Sequence, residues 1–113
     1  MKPYNLEERS FCFARDCRLL IHRLPKTLAN VEDGKQLIRS SGSIGANYIE
    51  ANENLGTKDL RFRMKISRKE AKESEYWLNL LKATNPDAAA PIQELFEEAG
   101  ALRRIFSSII SKL

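Results

Sequence analysis

The stretch Thr57–Lys82, TKDLRFRMKISRKEAKESEYWLNLLK, decides how the rest of the chain is read. Leu60, Met64, Ser67, Ala71, Ser74, Leu78 and Leu81 recur at alternating steps of four and three, the spacing of one seam along an α-helix. At about 100° per residue a second set falls roughly opposite: Phe62, Ile66, Lys69, Glu73, Tyr76 and Leu80, with Trp77 beside it. Between the two runs a basic stripe, Lys58, Arg61, Lys65, Arg68 and Lys72. One seam is enough to build a core. The second needs another neighbour, either a helix of the same chain or a second copy of it. A contact between copies through Phe62, Ile66, Tyr76, Trp77 and Leu80 is the expectation adopted here.

The segments on either side carry the same period. Asn5 and Glu8 have the form of a capping box, and Leu6, Phe13, Cys17, Leu20 and Leu24 give a first helix that Pro25 ends. Asn30 is the expected cap of a second helix, with a seam of Leu37, Ser41, Ile44, Tyr48, Ala51 and Leu55. Ser40, Ser41, Gly42, Ser43, Gly45 and Ala46 crowd its middle. Glycine inside a helix costs about 1 kcal/mol relative to alanine, so two of them imply a break or a close approach by another backbone. The apolar period runs through them without a change of phase, which favours close approach. Gly56 is expected just past the end of this helix, and Thr57 as the cap of the third. Asn85-Pro86-Asp87 stops the third helix, and Ile92, Leu95, Ala99, Leu102, Phe106, Ile109 and Leu113 form the seam of a fourth. The chain therefore reads as one all-α domain, an up-down-up-down four-helix bundle with helices at about 5–24, 30–55, 57–84 and 89–112.

Composition agrees with a small globular domain: 113 residues, 42% hydrophobic and 30% charged. No run is long and apolar enough to span a membrane. MKPYNLEERS lacks the apolar stretch of a secretory leader, so the expected compartment is the cytoplasm. Cys12 and Cys17 are expected to be reduced thiols. The net charge of +4 is uneven, +3 over residues 1–26 and +4 over 57–84 against −2 and −1 elsewhere. That distribution points to polyanions such as RNA or DNA, with Arg61, Lys65, Arg68 and Lys72, helped by Arg15 and Arg18, as candidate phosphate contacts.

Catalytic and metal chemistry find little support. The single histidine, His22, has Leu19 three residues before it, so the Glu-x-x-His pairs of di-iron bundles are missing. Glu50/Glu53 and Glu70/Glu73 read as salt-bridge partners. Gly42-Ser43-Ile44-Gly45 fits a GXXG loop, but no alternating strand pattern accompanies it. Ser40, Ser43, Asn47, Glu50 and Asn54 share one flank of the second helix. Asn47 and Glu50, with Lys69, Glu70 and Glu73 opposite, are candidates for a polar network that fixes helix register. No enzyme and no cofactor are expected.

QLIRSSGSIGANYIEANEN (36–54) followed by KDLRFRMKISRKEAKESEYWLNLL (58–81) resembles the four-helix-bundle proteins encoded in intervening sequences of bacterial 23S rRNA genes. The resemblance implies a left-handed bundle assembled as a homopentameric ring. It also implies kinship with the accessory subunit of diversity-generating retroelements, which binds nucleic acid and a reverse transcriptase. Expected partners are thus other copies of the chain, RNA or DNA, and a protein partner, with no membrane. A protein-interaction scaffold without nucleic-acid contact is the alternative.

Overall fold

A computed structural model describes residues 5–113. Four helices follow one another, α1 (Leu6–Arg23), α2 (Leu28–Asn52), α3 (Thr57–Thr84) and α4 (Ala89–Ser111), with a single 3₁₀ turn at Pro86–Ala88 before the last. Each runs antiparallel to the one before it. Ser10 lies against Gly45 and Ile21 against Gly34; Arg39 meets Glu70, and Asn30 meets Asn85; Arg103 meets Glu75, and Gln93 meets Lys82. In each pairing one residue number rises as the other falls. Arg9 of α1 closes the circuit on Glu98 of α4, at 2.7 Å. Among the described residues α1 and α3 do not pack on each other, so they stand diagonally in an up-down-up-down four-helix bundle.

The core is built from the seams. Phe13, Cys17 and Leu20 of α1, Leu37 and Ile44 of α2, Leu78 and Leu81 of α3, and Ile92, Leu102 and Phe106 of α4 are all buried. Each of the large side chains is worth roughly 1.5–3 kcal/mol of transfer free energy. Small residues let α1 and α2 approach closely. α2 runs unbroken through Gly42 and Gly45, and a Cβ added at Gly45 would sit 3.3 Å from Cβ of Ser10. Buried hydroxyls stitch α2 to α3: Ser40 and Ser74 share a hydrogen bond of 2.9 Å, and Ser67 donates to the Ile44 carbonyl.

The ends of α2 differ from expectation. Thr27 caps it, its hydroxyl accepting from the Asn30 amide N–H at 3.1 Å. The chain leaving Pro25 is already extended at Thr27, which lets the helix begin at Leu28. Asn30 is instead buried inside the helix, where its side-chain amide exchanges two hydrogen bonds with that of Asn85, 2.9 and 2.8 Å. α2 also ends at Asn52 rather than at Leu55, which is 94% exposed and outside the seam. Gly56 does not close α2 but precedes α3 as its N-cap, with φ of +131°, a region open to glycine. Thr57 is the first helical residue and caps nothing; Asp59 instead turns back to accept from the Leu55 N–H. Asn5 caps α1 as expected, its side chain accepting from the Glu8 N–H.

Candidate nucleic-acid interface on the third helix

α3 turns its core seam inward and leaves one narrow line facing away from the bundle. Between Lys58 and Tyr76 the exposed positions are Lys58, Phe62, Lys65, Lys69, Lys72 and Tyr76, stepping by four and three. Such a line runs straight along the helix, about 27 Å from first to last. It draws members from both sets read in the sequence. Lys58, Lys65 and Lys72 come from the basic stripe; Phe62, Lys69 and Tyr76 come from the second apolar set.

The remaining members of those sets lie to either side of the line. Ile66, Trp77 and Leu80 are half-buried on the flank toward α2. There the Trp77 indole N–H donates to Glu73 at 2.9 Å. Arg61 and Arg68 are half-buried on the flank toward α4, and Arg61 donates to the Leu113 main-chain oxygen at 2.8 Å. Arg15 and Arg18 belong elsewhere. Arg15 pairs with Asp16 on the same helix, and Arg18 reaches the Ile38 carbonyl of α2. The six candidate phosphate contacts thus fall on two surfaces, one on α3 and one between α1 and α2.

Ion pairs engage part of the molecule's positive charge. Arg9, Arg39 and Arg103 each form an ion pair with a carboxylate on a neighbouring helix, and Arg63 pairs with Asp59 one turn earlier on α3 itself. Among the described residues no salt bridge includes Lys58, Lys65, Lys69 or Lys72. Lys58, Lys65 and Lys72 direct their charge toward solvent, while Lys69 also acts on the Glu73 carboxylate.

The polar network centres on a residue the sequence reading leaves out. Arg39 of α2 reaches Glu70, which is only 7% exposed, and also Glu73. Burial alone would raise the Glu73 pKa; hydrogen bonds from Trp77 and Arg39, with the positive charges of Arg39 and Lys69, outweigh it and hold the carboxyl below its ordinary range. Asn47 forms a separate cluster, donating to Ser43 and accepting from Arg63. Glu50 and Lys69 are exposed, and neither joins the hydrogen-bonded groups around Arg39 and Asn47. A cation at position 39, facing two carboxylates at i and i+3 on the next helix, is the signal that could have revealed this cluster. Among the described residues no group of three or more His, Cys, Asp or Glu is placed to hold a metal ion.

A second surface was not anticipated. A groove of about 950 Å³ runs between α1 and α2, lined by Phe11, Leu19 and Ile49 over a floor that includes Gly42 and Gly45, with Glu7, Glu8, Arg15 and Arg18 around it. Phe11 is 67% exposed. Phe11 and Leu19 are apolar residues left over from the core set of α1, a mismatch visible in the sequence. No described helix is long and apolar enough to cross a membrane.

The comparisons with known proteins agree with this architecture. A family model described as 23S rRNA-intervening sequence protein matches residues 4–108. A solved structure from Bacteroides thetaiotaomicron VPI-5482, a protein of unknown function from the S23 ribosomal protein family, is 29% identical. The match covers 92% of this chain and 96% of that one, with a TM-score of 0.80. No curated protein matches the chain.

Proposed function

From the premise that this chain belongs to the 23S rRNA-intervening sequence protein family, we propose that it is a non-enzymatic, homo-oligomeric bundle that holds nucleic-acid phosphates along α3. The observation that carries this reading is the outward line of four lysines without salt bridges, flanked by Arg61 and Arg68. Lysines in such a row neutralise successive phosphates without reading base sequence. Glu70 and Glu73, the carboxylate pair on α3, are engaged by Arg39 and Trp77, which favours a structural role for them.

Assembly as a ring of five, which the resemblance implies, needs two unlike surfaces on each copy. Phe11, Leu19 and Ile49 supply one; the half-buried edge of Ile66 and Leu80 supplies the other. A line of lysines is a poor centre for such a contact, since lysine is depleted at protein interfaces. The groove between α1 and α2 also favours a second reading, a scaffold that docks another protein there.

Titration of a structured RNA at several salt concentrations tests the leading proposal. Wild-type affinity should fall steeply with salt, and Lys65→Glu/Lys69→Glu/Lys72→Glu should abolish most of the binding and flatten the slope. Equal affinity of the two proteins, or binding indifferent to salt, would reject it.

A further inference from the structure

The outward line of α3 contains two aromatic rings as well as its lysines. Phe62 and Tyr76 are each 58% exposed, one near each end, about 21 Å apart along the axis. Neither ring is loose. The Arg63 guanidinium lies 5.9 Å from the Phe62 ring centre, a cation–π distance, and Arg63 is itself tied to Asn47 and Asp59. Tyr76 meets Trp77 edge to face at 5.0 Å, and the Trp77 indole is fixed by Glu73. Each ring therefore has one side steadied by its own chain while most of its surface stays in water.

We infer that α3 is a platform for single-stranded nucleic acid, on which Phe62 and Tyr76 stack unpaired bases while Lys65, Lys69 and Lys72 between them hold the phosphates. This rests on the phosphate-binding reading above and specifies its ligand. A duplex offers the line only its phosphates, because its bases are already stacked on one another. A single strand offers π-faces too, and any base will serve. Interleaving cations with exposed, orientationally fixed rings matches the second ligand in both kinds of group. A second copy of the chain would have to bring carboxylates to four lysines as well as an apolar surface to two rings.

The experiment compares poly(U), a poly(A)·poly(U) duplex of matched length, and inorganic polyphosphate. Each is titrated against the wild type, Phe62→Ala, Tyr76→Ala and the ring-preserving Phe62→Tyr and Tyr76→Phe. Poly(U) affinity should drop roughly tenfold with each alanine and be retained with each conservative variant. Affinity for the duplex and for polyphosphate should not change. Trp77, the single tryptophan, should be quenched by poly(U) and not by polyphosphate, because its neighbour Tyr76 is the ring that stacks. Loss of affinity for all three ligands in the alanine variants, or equal poly(U) binding with and without the rings, overturns the inference but leaves phosphate binding standing. Failure of every ligand to bind the wild type removes the phosphate-binding proposal and this one with it. A fall in molecular mass of Phe62→Ala or Tyr76→Ala by light scattering assigns the rings to a contact between copies, and also overturns it.

Discussion

Cys17 has lost its contact with water, and burial pushes its thiol up to about 12, against smaller opposing effects from the Ser41 hydrogen bond and the Arg18 charge. Cys12, five residues earlier, is only half-buried. A thiol-disulfide exchange reagent near neutral pH should therefore modify one cysteine of the native chain, and the second only after unfolding. The sign for stability follows from the raised value. The protonated thiol contributes fully below the ordinary thiol range, and that contribution is lost as pH climbs toward 12. Cys17→Ala should show a shallower alkaline decline in denaturant midpoint than the wild type. Glu73 has the opposite sign: its lowered pKa gives stability that is present above the ordinary carboxylate range and lost as pH falls through it. Removing its partner should be felt at neutral pH as well. Arg39→Met strands Glu70 in a nearly dry site, and a loss of about 1–3 kcal/mol is expected in urea unfolding, toward the lower end because the guanidinium is half-exposed.

At the scale of the element, α2 separates what the sequence discloses from what it conceals. Its glycines are legible because an unbroken apolar period has a single phase, and a helix that keeps phase through Gly42 and Gly45 must be using their missing side chains. The two positions should nevertheless respond differently. A Cβ at Gly42 meets Nη2 of Arg18 at 3.1 Å, the exposed nitrogen that donates to the Ile38 carbonyl and can exchange that bond for water as it moves aside. Gly42→Ala should then gain up to about 1 kcal/mol of helix propensity. At Gly45 the neighbour is the Cβ of Ser10, which cannot move without its helix, so Gly45→Val should lose about 1–3 kcal/mol. Equilibrium urea unfolding of both variants separates the two cases. The ends of α2 are less legible, since Thr27 and Asn30 both belong to the residue types that cap helices. What decides between them is Asn85, 55 residues further on, which gives the Asn30 amide a partner of its own. No local pattern contains that information.

For the molecule as a whole, heptad steps reveal which residues turn inward, because every seam has the same task. They do not reveal which outward residues share a surface. Arg18 and Lys65 are both cations on helical faces, yet the diagonal placement of α1 and α3 puts them on different sides. Arg61 and Lys65 are one turn apart, yet Leu113, just past the end of α4, engages the first and not the second. The unclaimed apolar residues of α1 acquire meaning only once α2 is set beside them. Phe11, Leu19 and Ile49 line the groove between α1 and α2, while the lysine line faces outward on α3, so the proposed assembly and the proposed phosphate binding can be separated by mutation. Phe11→Glu/Ile49→Glu should reduce the mass measured by light scattering to that of a single chain while leaving the lysines untouched. If several copies grip one RNA together, the loss of assembly alone should weaken binding by roughly 10²–10⁴-fold. Binding to a short oligonucleotide that reaches only one copy should be unchanged. A wild type that scatters as a monomer would leave each chain to bind with its own four lysines, and affinity for long and short strands would then differ only through the number of sites.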